Sequence, residues 1–251
     1  MCRKLIYLIS CVVVLSLAGN ASAKLVGHWN FDEGAGTTAA DSSGYGNDGT
    51  LSGNASWAEG YLGGAVYLDG AAWIDIPGAA WDPIERKVTV AFWAFGGEAM
   101  PVDHFAFAAF SDDINAARQA SAHIPWSNGN VYWDTGYDGS NYDRINTALP
   151  TEYQKGQWVH WAFTKDCDTG EVYIYVNGEV FHSGANMTRV MSGVNDFTIG
   201  VRANSDRALG YIGWIDDFRL YDEPLTADRI QEIMLGEGYP FAFKPVFMRF
   251  L

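Results

Sequence analysis

Alternation of apolar and polar residues with a period of two is the dominant pattern along this chain. Four segments follow it and predict β-strands: residues 88–95, 158–164, 171–176 and 215–221. Turn sequences at residues 168–170 and 177–178 connect the third segment to its neighbours, so residues 158–182 predict a meander of hairpins. Short strands separated by turns rather than by helices predict an all-β fold, with two antiparallel sheets packed as a sandwich.

One segment near the C-terminus has helical periodicity instead. Thr226 is in the position of an N-cap for residues 225–234, and Gly236 is a stop signal just beyond them. The apolar positions of this segment form a single stripe: Ile230, Ile233 and Met234. The sequence therefore predicts one short C-terminal helix.

The first 23 residues have the composition of a secretory signal peptide. Arg3 and Lys4 precede an almost wholly apolar run at residues 5–17, and small residues follow at 21–23. The apolar run is shorter than the ~20 residues that a membrane span needs. We therefore expect a cleaved signal at 1–23, a domain at 24–235 and a C-terminal tail at 236–251. The protein would be secreted to the periplasm, the extracellular space or the cell surface.

The charge balance excludes some classes of partner. The chain has 251 residues and a formal net charge of -14. Removing the signal takes away two basic residues and no acidic one, so the charge of the remainder is more negative still. An acidic surface repels nucleic acid and anionic membranes, so we expect neither nucleic-acid binding nor membrane insertion after cleavage. Cys167 is then the one cysteine left, so burial or a bound metal has to stabilise the domain without a disulfide.

Several motifs occur in the order found in one known family. They are residues 25–34, 41–51, 63–70, 158–164 with 175–179, and 213–221 followed by Leu225-Thr226. Together they resemble the concanavalin A-like, laminin-G-like jelly-roll family over roughly residues 25–235. The resemblance implies a two-sheet antiparallel jelly roll whose first and last strands pair. It does not imply one function, because the fold hosts lectins, adhesion modules, carbohydrate-binding modules, glycoside hydrolases and lyases.

The loop at residues 41–49 is a candidate calcium site. It carries two carboxylates, an amide, two hydroxyls and three glycines, and Ca²⁺ prefers six to eight oxygen ligands. We predict Asp41 and Asn47 as ligands, with Asp216 and Asp217 of the last strand completing the set. Members of the resembled family often carry a structural calcium, and Asp41 and Asp216 occupy matching motif positions. The alternative is that Asp41, Asn47 and Asp48 are turn formers that bond to nearby backbone.

A candidate carbohydrate site lies in residues 98–150, where strands are hardest to recognise. Aromatic rings that stack on sugars alternate there with polar side chains that can bond to hydroxyls. The predicted contact residues are Trp126, Tyr132, Trp133, Tyr137, Tyr142 and Arg144. Arg118 and Arg144 would alternatively favour acidic sugars. The other interpretation is that residues 131–134 form a strand, with Trp133 in the core.

No catalytic pair is recognisable in the sequence. Retaining glycosidases need two carboxylates about 5–5.5 Å apart, and the nearest candidates, Asp166, Asp168 and Glu171, surround a turn. The five histidines are scattered without metal-ligand spacing. We therefore predict a noncatalytic module that recognises a glycan or an extracellular protein. The alternative is a polysaccharide-degrading enzyme, a glycoside hydrolase or a lyase, on the same fold.

Overall fold

A computed structural model describes residues 23–100, 103–114 and 116–236. The predicted signal peptide and C-terminal tail lie outside the described residues, apart from Ala23 and Gly236. The described part forms the helix α1 (Ala227–Met234), two short 3-10 helices (Gly78–Trp81 and Thr151–Tyr153) and sixteen β-strands. The strands are β1 Leu25–Trp29, β2 Thr38–Ala39, β3 Gly49–Ser52, β4 Ser56–Glu59, β5 Gly64–Asp69, β6 Trp73–Ile76, β7 Lys87–Gly96, β8 Phe107–Phe110, β9 Arg118–His123, β10 Asn130–Thr135, β11 Asp143–Ala148, β12 Trp158–Asp166, β13 Glu171–Val176, β14 Glu179–Gly184, β15 Asp196–Ile199 and β16 Ile212–Tyr221.

The strands form two antiparallel sheets. The first sheet has the order β14-β13-β12-β7-β16-β5-β4, with β1 also paired to β16, and the second has the order β11-β10-β9-β8-β15-β6-β3-β2. Pairing of β1 with β16 joins the first and last strands, as the family resemblance implies. The predicted all-β sandwich and the meander from β12 to β14 are both confirmed.

A bulge in β16 allows two strands to share one of its edges. Asp217 has a positive φ of 50°, and the register of β16 against β7 shifts between Asp216 and Arg219. Before the bulge β16 pairs with β5, and after it with β1. Because the extra residue interrupts the alternation of side chains, the adjacent Asp216 and Asp217 are both buried. The bulge thus determines where these two carboxylates lie.

The core lies between the sheets and is rich in aromatic rings. Phe92 stacks on Phe218 with ring centroids 5.2 Å apart, and both rings contact Phe107 of the second sheet. Phe163 completes this group and contacts Trp133 at 5.5 Å. Burial of such rings is the main driving force for the sandwich.

The outer face of the first sheet is divided between the helix and a row of aromatic residues. Ile230 and Ile233 of α1 are buried on it, and the Thr226 hydroxyl accepts a hydrogen bond from the Arg229 amide, which confirms the predicted N-cap. Beyond the helix lies a row of half-buried rings from neighbouring strands: Tyr67, Trp214, Phe95 and Trp158. Much of the aromatic content therefore packs outside the sheet interface.

The segment without firm strand predictions, residues 98–150, supplies four strands of the second sheet, β8 to β11. The sequences of β8 (FAAF) and β9 (RQASAH) are almost entirely buried on both faces. Strands covered on both sides do not alternate apolar with polar residues. This explains why period-two alternation does not reveal β8. In β9 the apolar positions of the alternation are alanines only, Ala120 and Ala122, which give a weak hydrophobic signal.

Candidate functional site

A cavity of about 230 Å³ opens on the outer face of the second sheet. It is lined by six side chains: Arg118, His123, Trp126, Tyr132, Tyr142 and Arg144. Strands β9, β10 and β11 supply four of them, and the segments that follow β9 and precede β11 supply Trp126 and Tyr142. The cavity therefore combines a rigid sheet surface with residues from two connecting segments.

Strand register brings these residues together. Tyr132 lies opposite His123 of β9, and Asp134 lies opposite Arg144 of β11. Successive side chains of a strand point to opposite faces, so Tyr132 and Asp134 share the outer face. Trp133, which lies between them, points into the core.

A buried carboxylate lies beneath the cavity. Asp134 is 0% exposed, and Arg144 donates hydrogen bonds to both of its oxygens, Nε to Oδ1 at 2.6 Å and Nη2 to Oδ2 at 2.7 Å. The Nε of Arg118 is 3.4 Å from the same Oδ2. A fully buried carboxylate is costly unless it is paired and hydrogen-bonded, and the two-point contact with Arg144 meets that requirement.

Both arginines also contact aromatic rings. The Cζ atom of Arg144 lies 4.7 Å from the ring centroid of Tyr132 and 5.0 Å from that of Tyr142. The Cζ atom of Arg118 lies 5.2 Å from the ring centroid of Tyr142. These distances are within the range of cation–π attraction. The contacts fix Tyr142 beside two guanidinium groups at the cavity.

His123 presents a neutral ring to the cavity. Burial lowers the pKa of His123 to about 3, so the imidazole is uncharged at pH 7. Its Nδ1 lies 2.7 Å from the carbonyl oxygen of His104. A carbonyl oxygen can only accept, so Nδ1 carries the proton and Nε2 is an acceptor. The ring centroid lies 4.5 Å from that of Trp126, which places an acceptor beside an aromatic surface.

Four of the six predicted carbohydrate-binding residues meet at this cavity: Trp126, Tyr132, Tyr142 and Arg144. The prediction for Trp133 is wrong, because its side chain is 1% exposed and its Nε1 donates to the Thr164 carbonyl inside the sandwich. Tyr137 is half-buried and is not among the lining residues.

The predicted contact residues do not include Arg118, His123 or Asp134, and Arg118 enters only through the alternative of acidic sugars. His123 and Asp134 face the same side of the sheet as Tyr132. Arg118 joins them because the register of β9 against β8 shifts between Ala120 and Arg118. Alternation along β10 alone predicts that Asp134 lies on the same face of the strand as Tyr132. The pairing of β9 with β10 was needed to add His123, and the register shift in β9 was needed to add Arg118.

The four predicted calcium ligands lie in separate environments. The Asp41 carboxylate accepts backbone N–H groups from His28 at 3.0 Å, Ser43 at 2.9 Å and Asn47 at 3.0 Å. Burial by itself raises the pKa of Asp41, but these bonds outweigh it and the pKa is lowered. Asp41 and Asn47 therefore organise a turn, which is the alternative interpretation of this loop.

The two carboxylates of the bulge also differ from each other. Asp217 is ion-paired with Arg219, whose Nε lies 2.9 Å from Oδ1, and the same oxygen lies 2.7 Å from His28 Nε2. Asp216 accepts two backbone N–H bonds on Oδ2, both at 2.8 Å, from Tyr61 and Leu62. Its Oδ1 is buried without a hydrogen-bond partner. Burial raises the pKa of Asp216 well above its ordinary value, and the charge of Asp217 adds to the rise.

These arrangements do not form the predicted four-residue calcium site. The described residues contain no group of three or more His, Cys, Asp or Glu that could hold a metal ion. Asp41 and Asp217 direct their oxygens to protein donors. Of the predicted ligands, Asp216 alone keeps a buried oxygen that a hard cation suits.

The fold and the cavity together define a jelly-roll protein with a polar and aromatic cavity on one sheet. Residues 68–231 match Laminin_G_3, the concanavalin A-like lectin/glucanases superfamily. The match covers more than half of the chain, and the protein belongs to this superfamily. No curated protein is similar enough to count as a match.

Solved structures with the same fold include carbohydrate-binding domains. One is domain 4 of AbnA, a GH43 extracellular arabinanase from Geobacillus stearothermophilus, in complex with arabinotriose. The TM-score is 0.67 and the identity 26%, and the match covers 84% of this chain and 98% of that one. Another is the ligand binding domain of botulinum neurotoxin serotype D in complex with N-acetylneuraminic acid. There the TM-score is 0.64 and the identity 16%, over 85% of this chain and 51% of that one.

The receptor binding domain of the botulinum neurotoxin C/D mosaic serotype is similar to the same degree. Its TM-score is 0.66 and its identity 16%, over 85% of this chain and 51% of that one. The chain thus spans about half the length of the toxin domains and shares their fold. Within the part that the structure describes, no helix combines the length and the hydrophobicity needed to cross a membrane.

Proposed function

We propose that this protein is a noncatalytic recognition module that binds a carbohydrate in the cavity on the second sheet. The observation that carries the proposal is the meeting of Trp126, Tyr132 and Tyr142 with two arginines around one cavity. The similarity to an arabinanase domain in complex with arabinotriose supports it. The partner is a glycan, either free or on a cell-surface or extracellular protein.

The chemistry of the cavity suits a sugar. Aromatic faces pack against the C–H surface of a sugar ring, while a few convergent polar groups fix its orientation. The Nε2 of His123 is available to accept from a hydroxyl, and the arginines supply donors. A volume of about 230 Å³ is below the ~300–1,000 Å³ typical of drug-sized ligands. The cavity therefore suits one sugar residue, such as a chain terminus, rather than several.

The same geometry argues against hydrolysis at this site. Glycosidases use two carboxyl groups flanking the scissile bond. None of the six lining residues carries a carboxyl group. The buried Asp134 beneath them is bonded to Arg144 through both oxygens. The residues at the cavity thus supply contacts for binding and lack a pair of groups for acid–base catalysis.

The test is glycan binding by the purified protein, first on a glycan array and then by titration calorimetry with the best ligand. Trp126→Ala should weaken binding at least tenfold, because aromatic anchors dominate binding sites of this kind. Tyr45→Ala is the matched control, since Tyr45 is 50% exposed and is not among the cavity-lining residues. An unchanged affinity for Trp126→Ala would contradict the site. Release of reducing ends from the bound glycan would contradict the noncatalytic role.

We also propose that the protein is exported, with residues 1–23 as the cleaved signal. The basic and apolar sequence of the first 23 residues supports export. Mass spectrometry of the processed protein tests this proposal, with Lys24 expected as the first residue.

We further propose that a calcium ion binds at Asp216. The buried Oδ1 of Asp216, which has no hydrogen-bond partner, supports this proposal.

A further inference from the structure

The cavity is positively charged, although the chain as a whole is negatively charged. The chain as a whole carries a net charge of -14, yet the cavity lining contains two arginines and no acidic side chain. His123 does not change this balance, because the low pKa keeps its ring neutral at pH 7. Asp134 beneath the cavity offsets one of the two positive charges. A local excess of one positive charge remains.

Arg144 already uses the bonding capacity of Asp134 on its side. Each carboxylate oxygen accepts a hydrogen bond from Arg144, at 2.6 and 2.7 Å. Arg118 reaches the carboxylate with Nε at 3.4 Å, without the geometry of a hydrogen bond. The two arginines are thus bound differently, and Arg144 holds the shared counter-ion.

The Arg118 guanidinium has donors without acceptors. Its Nε is buried and makes no hydrogen bond, and the described residues provide no hydrogen-bond acceptor for its other nitrogens. Nε, which faces Asp134, is the one buried donor of this guanidinium without a partner, and such a donor is costly. The terminal nitrogens are not buried, so their N–H donors are accessible from the cavity and lack a protein acceptor. The nearby Arg202 does not relieve this, since it is itself a cation and is paired with Asp206. An anionic group in the cavity would supply the missing acceptors.

We infer that the ligand is an acidic sugar residue whose carboxylate binds Arg118. This inference rests on the proposed function and names the chemical class of its ligand. The planar guanidinium matches a carboxylate at two points, and the sugar ring lies against Trp126 and Tyr142. Uronic acids and sialic acids share this chemistry, a pyranose ring that bears a carboxylate.

The experiment compares matched pairs of ligands by titration calorimetry on the full processed protein. One pair is a glucuronic acid oligosaccharide and its glucose counterpart, and the other is sialyllactose and lactose. Within at least one pair the carboxylated ligand should bind at least tenfold more tightly, since charge-assisted bonds are about twice as strong as neutral ones. The preference should weaken as salt is added. The pair that shows it identifies the source of the carboxylate.

Variants connect the preference to Arg118. Arg118→Gln should abolish the preference, and Arg118→Lys, which keeps the charge but loses the planar fork, should retain part of it. The lysine variant also keeps the test valid if the glutamine variant does not fold. Arg86→Gln is the control, because Arg86 is 48% exposed and pairs with Asp168 away from the cavity.

Three results would overturn the inference or its basis. Equal binding of acidic and neutral ligands, still dependent on Trp126, overturns the acidic class and leaves the proposed function intact. A carboxylate preference that survives Arg118→Gln overturns the assignment to Arg118. Absence of binding to any sugar contradicts the proposed function itself.

Discussion

Arg144 and Asp134 lie directly opposite each other on neighbouring antiparallel strands, and two hydrogen bonds of 2.6 and 2.7 Å join their side chains. The pairing of β10 with β11 creates this contact, so backbone register positions the polar floor of the cavity. Arg118 adds a third charged group from the other side, on β9. Sheet strands thus hold all three charged residues in place at the cavity.

Removal of the buried carboxylate should destabilise the protein strongly. Asp134→Ala leaves Arg144 and Arg118 close together without their counter-ion, and breaking a buried pair costs about 3–5 kcal/mol. We expect that loss in the free energy of unfolding measured with urea. Asp168→Ala is the control, because its pair with Arg86 is half-exposed on both sides and should be worth less than about 1 kcal/mol. Equal losses for the two variants would contradict the structural role of Asp134.

Two tryptophans of the predicted site should behave in opposite ways. Trp133→Ala should lower the free energy of unfolding by about 3–5 kcal/mol, the cost of removing a large core side chain. Trp126 is half-buried at the cavity, so Trp126→Ala should reduce glycan affinity with a smaller loss of stability. Urea unfolding and calorimetry on both variants separate the effects. A loss of affinity in a stable Trp133→Ala protein would show that our placement of this ring is wrong.

The contrast between Tyr132 and Trp133 shows what sequence reasoning could and could not provide. Adjacent residues of a strand point to opposite faces, so a strand at residues 131–134 excludes a shared ligand contact for both rings. The alternating strands and α1 with its Thr226 cap were predictable, because their periodicities are strong. The cavity required the position of β9, in which polar residues alternate only with alanine and give a weak signal.

The carboxylates of β16 illustrate a second limit. Alternation predicts that Asp216 and Asp217 face opposite sides of the strand. The bulge at Asp217 buries both of them, one against backbone amides and the other against Arg219. A single residue with positive φ causes this change. Nothing in the local sequence distinguishes such a residue from its neighbour.

Acid should destabilise the protein through buried neutral histidines. Burial lowers the pKa of His160 to about 3, and His123 has the same value. Between pH ~6.5, the ordinary value for histidine, and pH 3 the unfolded chain binds protons that the folded protein does not. The contribution of these histidines to stability is therefore complete above pH 6.5 and falls as the pH decreases, by up to about 1.4 kcal/mol per pH unit for each ring.

Asp216 has the opposite effect on the pH dependence of stability. Its raised pKa lets the folded state bind a proton at a pH where the unfolded chain does not, so its contribution to stability grows as the pH decreases. A variant of one histidine separates the contributions. His160→Phe removes the ionisable ring beside Trp93 and a buried Nδ1 that lacks a hydrogen-bond partner. Its stability should depend less steeply on pH between 6 and 4 than that of the unmodified protein, as measured by urea unfolding at each pH. If stability depends on pH equally steeply in His160→Phe and in the unmodified protein, the role given to His160 in the acid sensitivity is wrong.

Calcium should raise the melting temperature of metal-stripped protein if it binds at Asp216. A ligand that binds the folded state stabilises it by mass action, and the buried Oδ1 of Asp216 has no other partner. Asp216→Asn keeps an acceptor for the Tyr61 and Leu62 amides but removes the charge, so it should abolish the calcium-dependent rise. Asp41→Asn is the matched variant. Its carboxylate serves three backbone amides, so the melting temperature should fall while the response to calcium persists. If calcium leaves the melting temperature of the unmodified protein unchanged, the calcium proposal is wrong.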